Sequence, residues 1–344
     1  MSFTKISQAL ASASDEQLGL LVQNAAVLGI GGASGVADVD GVPVFVKRIP
    51  LTDLERFHPQ STANLFGLPP HCQYGVGGAG FGAWRELAAH RLTTGWVLAG
   101  KTRSFPLLYH WRVLPGAPSV PEEHADIEAV ASLWDGSPAV RRRLEALAGA
   151  TWSVALFLEY VPHNLDEWLA AGAPDLQLVE RELLAGTAFM RASGLLHFDP
   201  HFRNVLTDGN RLLFGDLGLA TSPAFELSAT EREFAARNAG HDEGYVTMCL
   251  VNWLVRTVVG APAGTTTAER YAYVRRVAAG HEPTGVPDDV AAMIMRHAPL
   301  TTVMNDFYWQ VFGGNPAAEF PATAVEHHLA ARVPGAAQAG HRPG

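Results

Sequence analysis

The stretch "LLHFDPHFRNVLTDGNRLLFGDLGLA", residues 195–220, constrains the chain more than any other part of it. It sets His197, Asp199, Asn204 and Asp216 between two apolar runs. "TDGN" between "VL" and "RLLF" predicts a tight turn joining two short strands, because Asp and Gly tolerate the backbone such a turn needs. The polar quartet therefore falls on loops around a small hairpin.

What surrounds that hairpin decides how the quartet can be used. With 344 residues, 48% of them hydrophobic and 17% charged, the chain can bury a large core and has the composition of a folded protein. Lys and Arg number 25 against 34 Asp and Glu, a net charge of −9. With no basic stripe present, nucleic-acid and anionic-membrane partners are not expected. The one dense basic cluster, Arg141-Arg142-Arg143, reads as a solvated helix face. Cys72 and Cys249 lie far apart without metal-ligand spacing, and the histidines form no HExxH array. "MSFTKISQALASASDEQ" lacks the layout of a secretory signal, and "MCLVNWLVRTVV", interrupted by Asn252 and Arg256, is too short to span a bilayer. A cytoplasmic protein is the expectation.

Along the chain, a helix-like stretch at about 4–24 precedes "VADVDGVPVFVKRI", a hairpin turning at Asp40-Gly41. "AWRELAAHRL" has helical spacing, while "FPLLYHWRVL" and "WSVALFLEYV" read as strands. Residues 121–149 between them look like an inserted pair of helices joined at "DGSP". From Asn164 the pattern is mainly helical, with Gly194 suited to a C-terminal cap, and helices resume near His241. Strands first and helices later predict an α+β protein of two lobes.

Phosphoryl transfer needs a carboxylate near the attacking hydroxyl and hard oxygen ligands for Mg²⁺ on the nucleotide phosphates. Asp199, Asn204 and Asp216 supply that set. The run His197-x-Asp199-x-x-x-x-Asn204 followed by Asp216-Leu217-Gly218 resembles the catalytic and metal-binding loops of the protein-kinase-like superfamily, which spans Ser/Thr protein kinases and aminoglycoside, choline and fructosamine phosphotransferases. The resemblance extends more weakly over roughly residues 25–260.

It implies a bilobal fold with a small antiparallel-sheet N-lobe (1–161) and a mainly helical C-lobe (162–333), followed by a flexible tail (334–344). By the same resemblance Asp199 is the catalytic base, Asn204 and Asp216 are the Mg²⁺ ligands, and Gly218 lets the metal loop turn. Lys47, ending "VFVK", would hold the ATP phosphates. Gly29, Gly31 and Val36 fit the glycine-rich phosphate loop, although Ser34 replaces its third glycine. A second cluster, "YGVGGAGFG" at 74–82, precedes a helix and is the runner-up phosphate loop. Glu86 is the candidate to orient Lys47. Glu55 competes with it from "TDLE", a capping box that His58-Pro59 would cut short. Backbone groups at Glu159, Tyr160 and Val161 would meet adenine, and Asp242 would anchor the catalytic-loop backbone.

The chain also departs from the family. Phe198 stands where regulated protein kinases carry Arg, so control by activation-loop phosphorylation is not expected. Phe45 shares a strand face with Lys47 and could narrow the adenine pocket. "SPAFE" at 222–226 is at best a distorted Ala-Pro-Glu marker. "DLGLA" leans toward a Ser/Thr of a protein or peptide as acceptor, whereas His201, Phe45 and the lost marker lean toward a small molecule. Protein or peptide ranks ahead. The inserted helices and the long Lys47–Glu86 interval could shape the acceptor site. A noncatalytic kinase-like binding protein is the alternative from another class.

Overall fold

The computed structural model describes residues 2–28, 33–75, 78–172 and 175–331. Where one N-terminal helix was expected there are two, α1 (Phe3–Ser12) and α2 (Asp15–Gln23). Ser14 breaks them. Its hydroxyl accepts from Gln17 N–H while its own N–H donates to the Gln17 side chain, a reciprocal cap that starts a new helix.

Strands β1 (Ala26–Leu28), β2 (Ser34–Val39) and β3 (Val42–Leu51) follow. Asp40 and Gly41 form the β2–β3 turn with φ of 52° and 80°, as anticipated for that pair. Helix α3 (Asp53–Phe57) stops at His58-Pro59, and α4 (Ala83–Leu98) comes after a long connection. β4 (Leu108–Pro115) and β5 (Trp152–Glu159) flank the inserted α5 (Ile127–Leu133) and α6 (Pro138–Ala148). The five strands make one antiparallel sheet in the order β1-β2-β3-β5-β4.

Alternation along β3 sends successive side chains to opposite faces. Val44 and Val46 join Ile6, Leu10 and Leu18 under α1 and α2, while Phe45, Ile49 and Leu51 pack with Trp84 and Leu87 of α4. Lys47 belongs to the α4 side, so one sheet face packs under α1 and α2 and the other faces α4.

Beyond β5 the chain is mainly helical. A small antiparallel sheet is built from β6 (His163–Asn164), with β7 and β8 arriving after α7 (Leu165–Ala171) and α8 (Leu176–Ala192). β7 (Val205–Thr207) and β8 (Leu212–Phe214) are the hairpin expected at "TDGN". The remaining helices are α9 (Ala229–Arg237), α10 (His241–Leu254), α11 (Thr267–Ala278), α12 (Asp288–Phe312) and α13 (Ala322–Ala330). Helices thus resume before His241, because Ser228 and Glu231 form a capping box that starts α9. Two apolar cores run through this part, one around α8, the hairpin and α10, the other around α12 and α13. The architecture is α+β, with the antiparallel sheet in the N-terminal half and the helices in the C-terminal part. Among the described residues no helix is long and apolar enough to cross a membrane.

One sequence expectation is corrected here. Arg143 is not solvated: it is 2% exposed and its Nη1 donates to Glu55 Oε2 at 2.8 Å. Glu55 also accepts from Thr52 and from Ala83 N–H, the first amide of α4. Burial alone would raise the Glu55 carboxyl, but Arg143 outweighs it and holds it low. One buried pair therefore joins the insertion, α3 and the start of α4.

Candidate functional site

Lys47 leaves the inner face of β3 and is bound on both sides, at 2.7 Å to Glu86 Oε1 on α4 and at 2.8 Å to Asp216 Oδ1 after β8. Between the two sequence candidates the structure brings Glu86 to the lysine, and Glu55 is committed to Arg143. α4 is pinned so that Glu86 points inward. Its neighbour Arg85 is buried, with Nη2 donating to Glu231 of α9 at 2.6 Å and Nε to Thr62 O at 2.6 Å. Sequence reading missed this pair, since Arg85 and Glu231 taken singly look like ordinary helix residues.

Electrostatics follow from the same contacts. Burial would pull the Lys47 ammonium down, but Asp216 and then Glu86 more than offset it and hold it raised. For Asp216 burial works upward, and Lys47 outweighs it, leaving the carboxyl at about 2. Glu86 is raised, because its burial exceeds what Lys47 returns.

The segment that begins at His197 is fixed by backbone anchoring. Asp242, on α10, accepts from His197 N–H at 2.6 Å and from Phe198 N–H at 2.9 Å, the role the resemblance gave it. These bonds hold Phe198 at a φ of 65°, unusual for a residue with a side chain. The Phe198 ring packs against Tyr74, Phe234 and His241 in the core instead of carrying a regulatory charge. His197 Nε2 donates to Gly215 O at 2.8 Å, tying this segment to the residue before Asp216. Asp216 itself has a φ of 50°. Phe198 and Asp216 are thus both held in the left-handed region, at a cost of about 1–3 kcal/mol each, by the contacts around them.

Asp199 sits between these anchors. Asn204 Nδ2 donates to its main-chain O and to its Oδ2, both at 3.0 Å, and His201 Nε2 lies 3.6 Å from Oδ2. Burial and then the nearby Asp216 charge push the Asp199 carboxyl up to about 7. Asn204, having turned its amide nitrogen toward Asp199, leaves Oδ1 as a ligand atom.

Two cavities meet at Lys47 and Asp216, which line both. The first, about 150 Å³, is bounded by Phe45, His90, Leu158, Glu159 and Asn204. The second, about 340 Å³, has Asp199, Gly80, Arg143 and Leu144 in its walls. Glu159 is on the first cavity's wall, and its carboxylate is occupied by Arg211 at 2.8 Å and by Leu107 N–H at 3.2 Å. Val36 pairs with Phe45 across β2–β3 and so shares that face. Val161 is buried and is not among the residues lining the first cavity. Gly29 and Gly31 lie outside the described residues. The runner-up phosphate loop ends at α4, where the Ala83 amide is taken by Glu55, so that helix start is capped by a carboxylate. Its described glycines, Gly75, Gly78, Gly80 and Gly82, line the second cavity instead, and residues 76–77 lie outside the described residues. Gly75, at a φ of +75°, comes so close to Asp199 that a Cβ there would stand 4.0 Å from its carboxyl carbon.

His90 is the other residue that sequence reading passed over. It is 1% exposed one turn after Glu86, neither ring nitrogen has a hydrogen-bond partner, and it lines the first cavity. Burial and then Lys47 bring its imidazole down to about 3, so it is neutral.

A metal would find one carboxylate and one carboxamide here. Among the described residues no group of three or more His, Cys, Asp or Glu could hold a cation unaided. Asp216 and Asn204 fit Mg²⁺ arriving with a nucleotide, because that ion keeps several oxygens from phosphate and water. No family model matches the chain, and no curated protein matches it either.

Proposed function

We propose that the chain is a bilobal, protein-kinase-like phosphotransferase that moves the γ-phosphate of Mg·ATP to a hydroxyl. The observation that carries this reading is the double engagement of Lys47 by Glu86 and Asp216, with Asn204 and Asp199 hydrogen-bonded to each other beside it. Side chains from four separate elements meet there, and none of them is needed at that point to fill a core.

Lys47, oriented by Glu86, would exchange its Asp216 contact for phosphate oxygens. Asp216 and Asn204 Oδ1 would hold Mg²⁺, which when bound supplies positive charge against the phosphates. Asp199 would orient the acceptor hydroxyl and take its proton, helped by a carboxyl raised toward neutrality. Asn204, bonded to Asp199, keeps base and metal site in register. The rest of the rate would come from positioning and fixed charge.

The test is phosphate transfer from γ-labelled ATP to a panel of Ser/Thr peptides and small alcohols. Asp199→Asn should cost about 10²–10⁴-fold in kcat while nucleotide affinity stays within a few-fold. Equal turnover in the variant contradicts the assignment. The noncatalytic reading is favoured by one observation, the small first cavity with Phe45 on its wall. It predicts that Mg·ATP gives neither thermal stabilisation nor turnover.

A further inference from the structure

The cavity on the Asp199 side of Lys47 has walls that the phosphotransfer chemistry alone does not require. It is closed by the insertion between β4 and β5, through Pro118, Val120, Pro121, Leu144 and Leu147, and by the glycine-rich segment ending at Gly82. We propose that this cavity is the acceptor site and that it takes a small, uncharged alcohol with an aliphatic or aromatic body, not a peptide chain. The proposal rests on the phosphotransfer reading and adds the acceptor's chemistry to it.

Three observations set that chemistry. A volume of about 340 Å³ lies at the small end of the range for small-molecule sites, about 300–1,000 Å³. An extended peptide needs about 3.3 Å of room per residue on both sides of the accepting serine, and on one side Leu144 and Leu147 of α6 wall the cavity. Their position is fixed, since Arg143 of α6 is locked to Glu55, which in turn caps α4.

Charge comes next. Every charged side chain we place in the reaction or in the cavity wall already has an opposite partner or a reaction role: Arg143 has Glu55, and Lys47 has Glu86 and Asp216. Among the described lining residues no acidic group is left over to meet a polycationic acceptor, and no unpaired Lys or Arg remains for an anionic one. What remains is a lining of apolar side chains and glycine backbone, and two of its residues hold buried nitrogens without hydrogen-bond partners, His124 Nε2 and Arg143 Nε. Arg143 and His124 both line the cavity, and each keeps one such nitrogen inside the wall. In the transfer the alcohol oxygen bonds to the γ-phosphorus, the bond from that phosphorus to the bridging oxygen breaks, ADP leaves, and the hydroxyl proton goes to Asp199.

The experiment uses the full chain and 2-phenoxyethanol, a neutral primary alcohol with a ring and an ether oxygen. Binding is read first without nucleotide, by saturation-transfer NMR, on wild type and on Leu147→Trp and Val120→Trp, which fill the cavity from its rim. Signal in wild type that falls in both variants supports the site, provided circular dichroism shows both folded. No transfer to the probe in wild type, or equal transfer in the folded variants, overturns it. Transfer of labelled phosphate is read second, against a ten-residue serine peptide and kanamycin. The phenoxyethanol rate should exceed both by about ten-fold or more in kcat/KM and drop by about ten-fold in Leu147→Trp. Preference for the peptide or for kanamycin overturns the proposal. Failure of the chain to bind Mg·nucleotide in a separate titration would instead strike the phosphotransfer reading, while the NMR result still decides the cavity.

Discussion

At the scale of single residues, the two side chains that distinguish this cleft are Phe45 and His90. Phe45 faces the first cavity from the strand that carries Lys47, and the space beside its ring is well below that of an ordinary ligand site. Phe45→Ala should enlarge the cavity and lower the Kd for Mg·AMPPNP by about three- to ten-fold, read by calorimetry; weaker binding would mean the ring is a platform for the base. His90 is a buried imidazole without hydrogen-bond partners, its Nε2 3.9 Å from Glu86 Oε1, so His90→Leu removes an unsatisfied polar group. Its pH signature has a definite sign. The folded protein keeps His90 unprotonated down to about 3, whereas the unfolded chain takes up that proton below about 6.5. Stability from this group is thus whole above 6.5 and is lost as pH falls from 6.5 toward 3. Urea unfolding should show His90→Leu gaining on wild type by about 1.4 kcal/mol per pH unit below 6.5, with a constant gap above it. A gap that does not change with pH contradicts the assignment of a neutral, buried ring.

At the scale of elements, α4 is held from three directions, through Arg85 to α9, through Ala83 to Glu55, and through Glu86 to Lys47. A helix fixed in this way keeps Glu86 on Lys47. The inserted α5 and α6 share the anchor. Arg143→Met leaves Glu55 charged, buried and without its guanidinium, and should cost about 3–5 kcal/mol in urea unfolding. The double variant Arg143→Met, Glu55→Gln should recover part of that loss. An Arg143→Met loss below about 1 kcal/mol would show that the insertion is only loosely attached. The hairpins, α4, the inserted helices and the turn at "TDGN" were legible because each is set by local signals, namely turn residues, caps and apolar spacing. The burial of Arg143 was not. Its partner lies 88 residues earlier in the chain, and no local pattern separates a solvated arginine run from one whose last member turns inward.

At the scale of the whole molecule, the cleft exists because the sheet and the helical part each contribute half of it. Lys47 and Asp216 are 169 residues apart and touch. The order of Lys47, Glu86, Asp199, Asn204 and Asp216 along the sequence suggested that they would converge. What the sequence withheld was the second cavity, because its walls come from β3, the glycine-rich segment, the insertion and both loops, and their proximity is a product of tertiary packing. The choice between Glu86 and Glu55 was withheld for the same reason: both begin helices, and only the position of Arg143 divides them. The central claim is that these side chains form a site for a nucleotide carried by a divalent cation. The most direct measurement is calorimetric titration of AMPPNP into wild type and Asp216→Ala, each with Mg²⁺ and with EDTA. The account predicts binding to wild type that requires Mg²⁺ and weakens by at least about ten-fold in the variant. Absence of binding to wild type, or binding indifferent to both Mg²⁺ and Asp216, would contradict it.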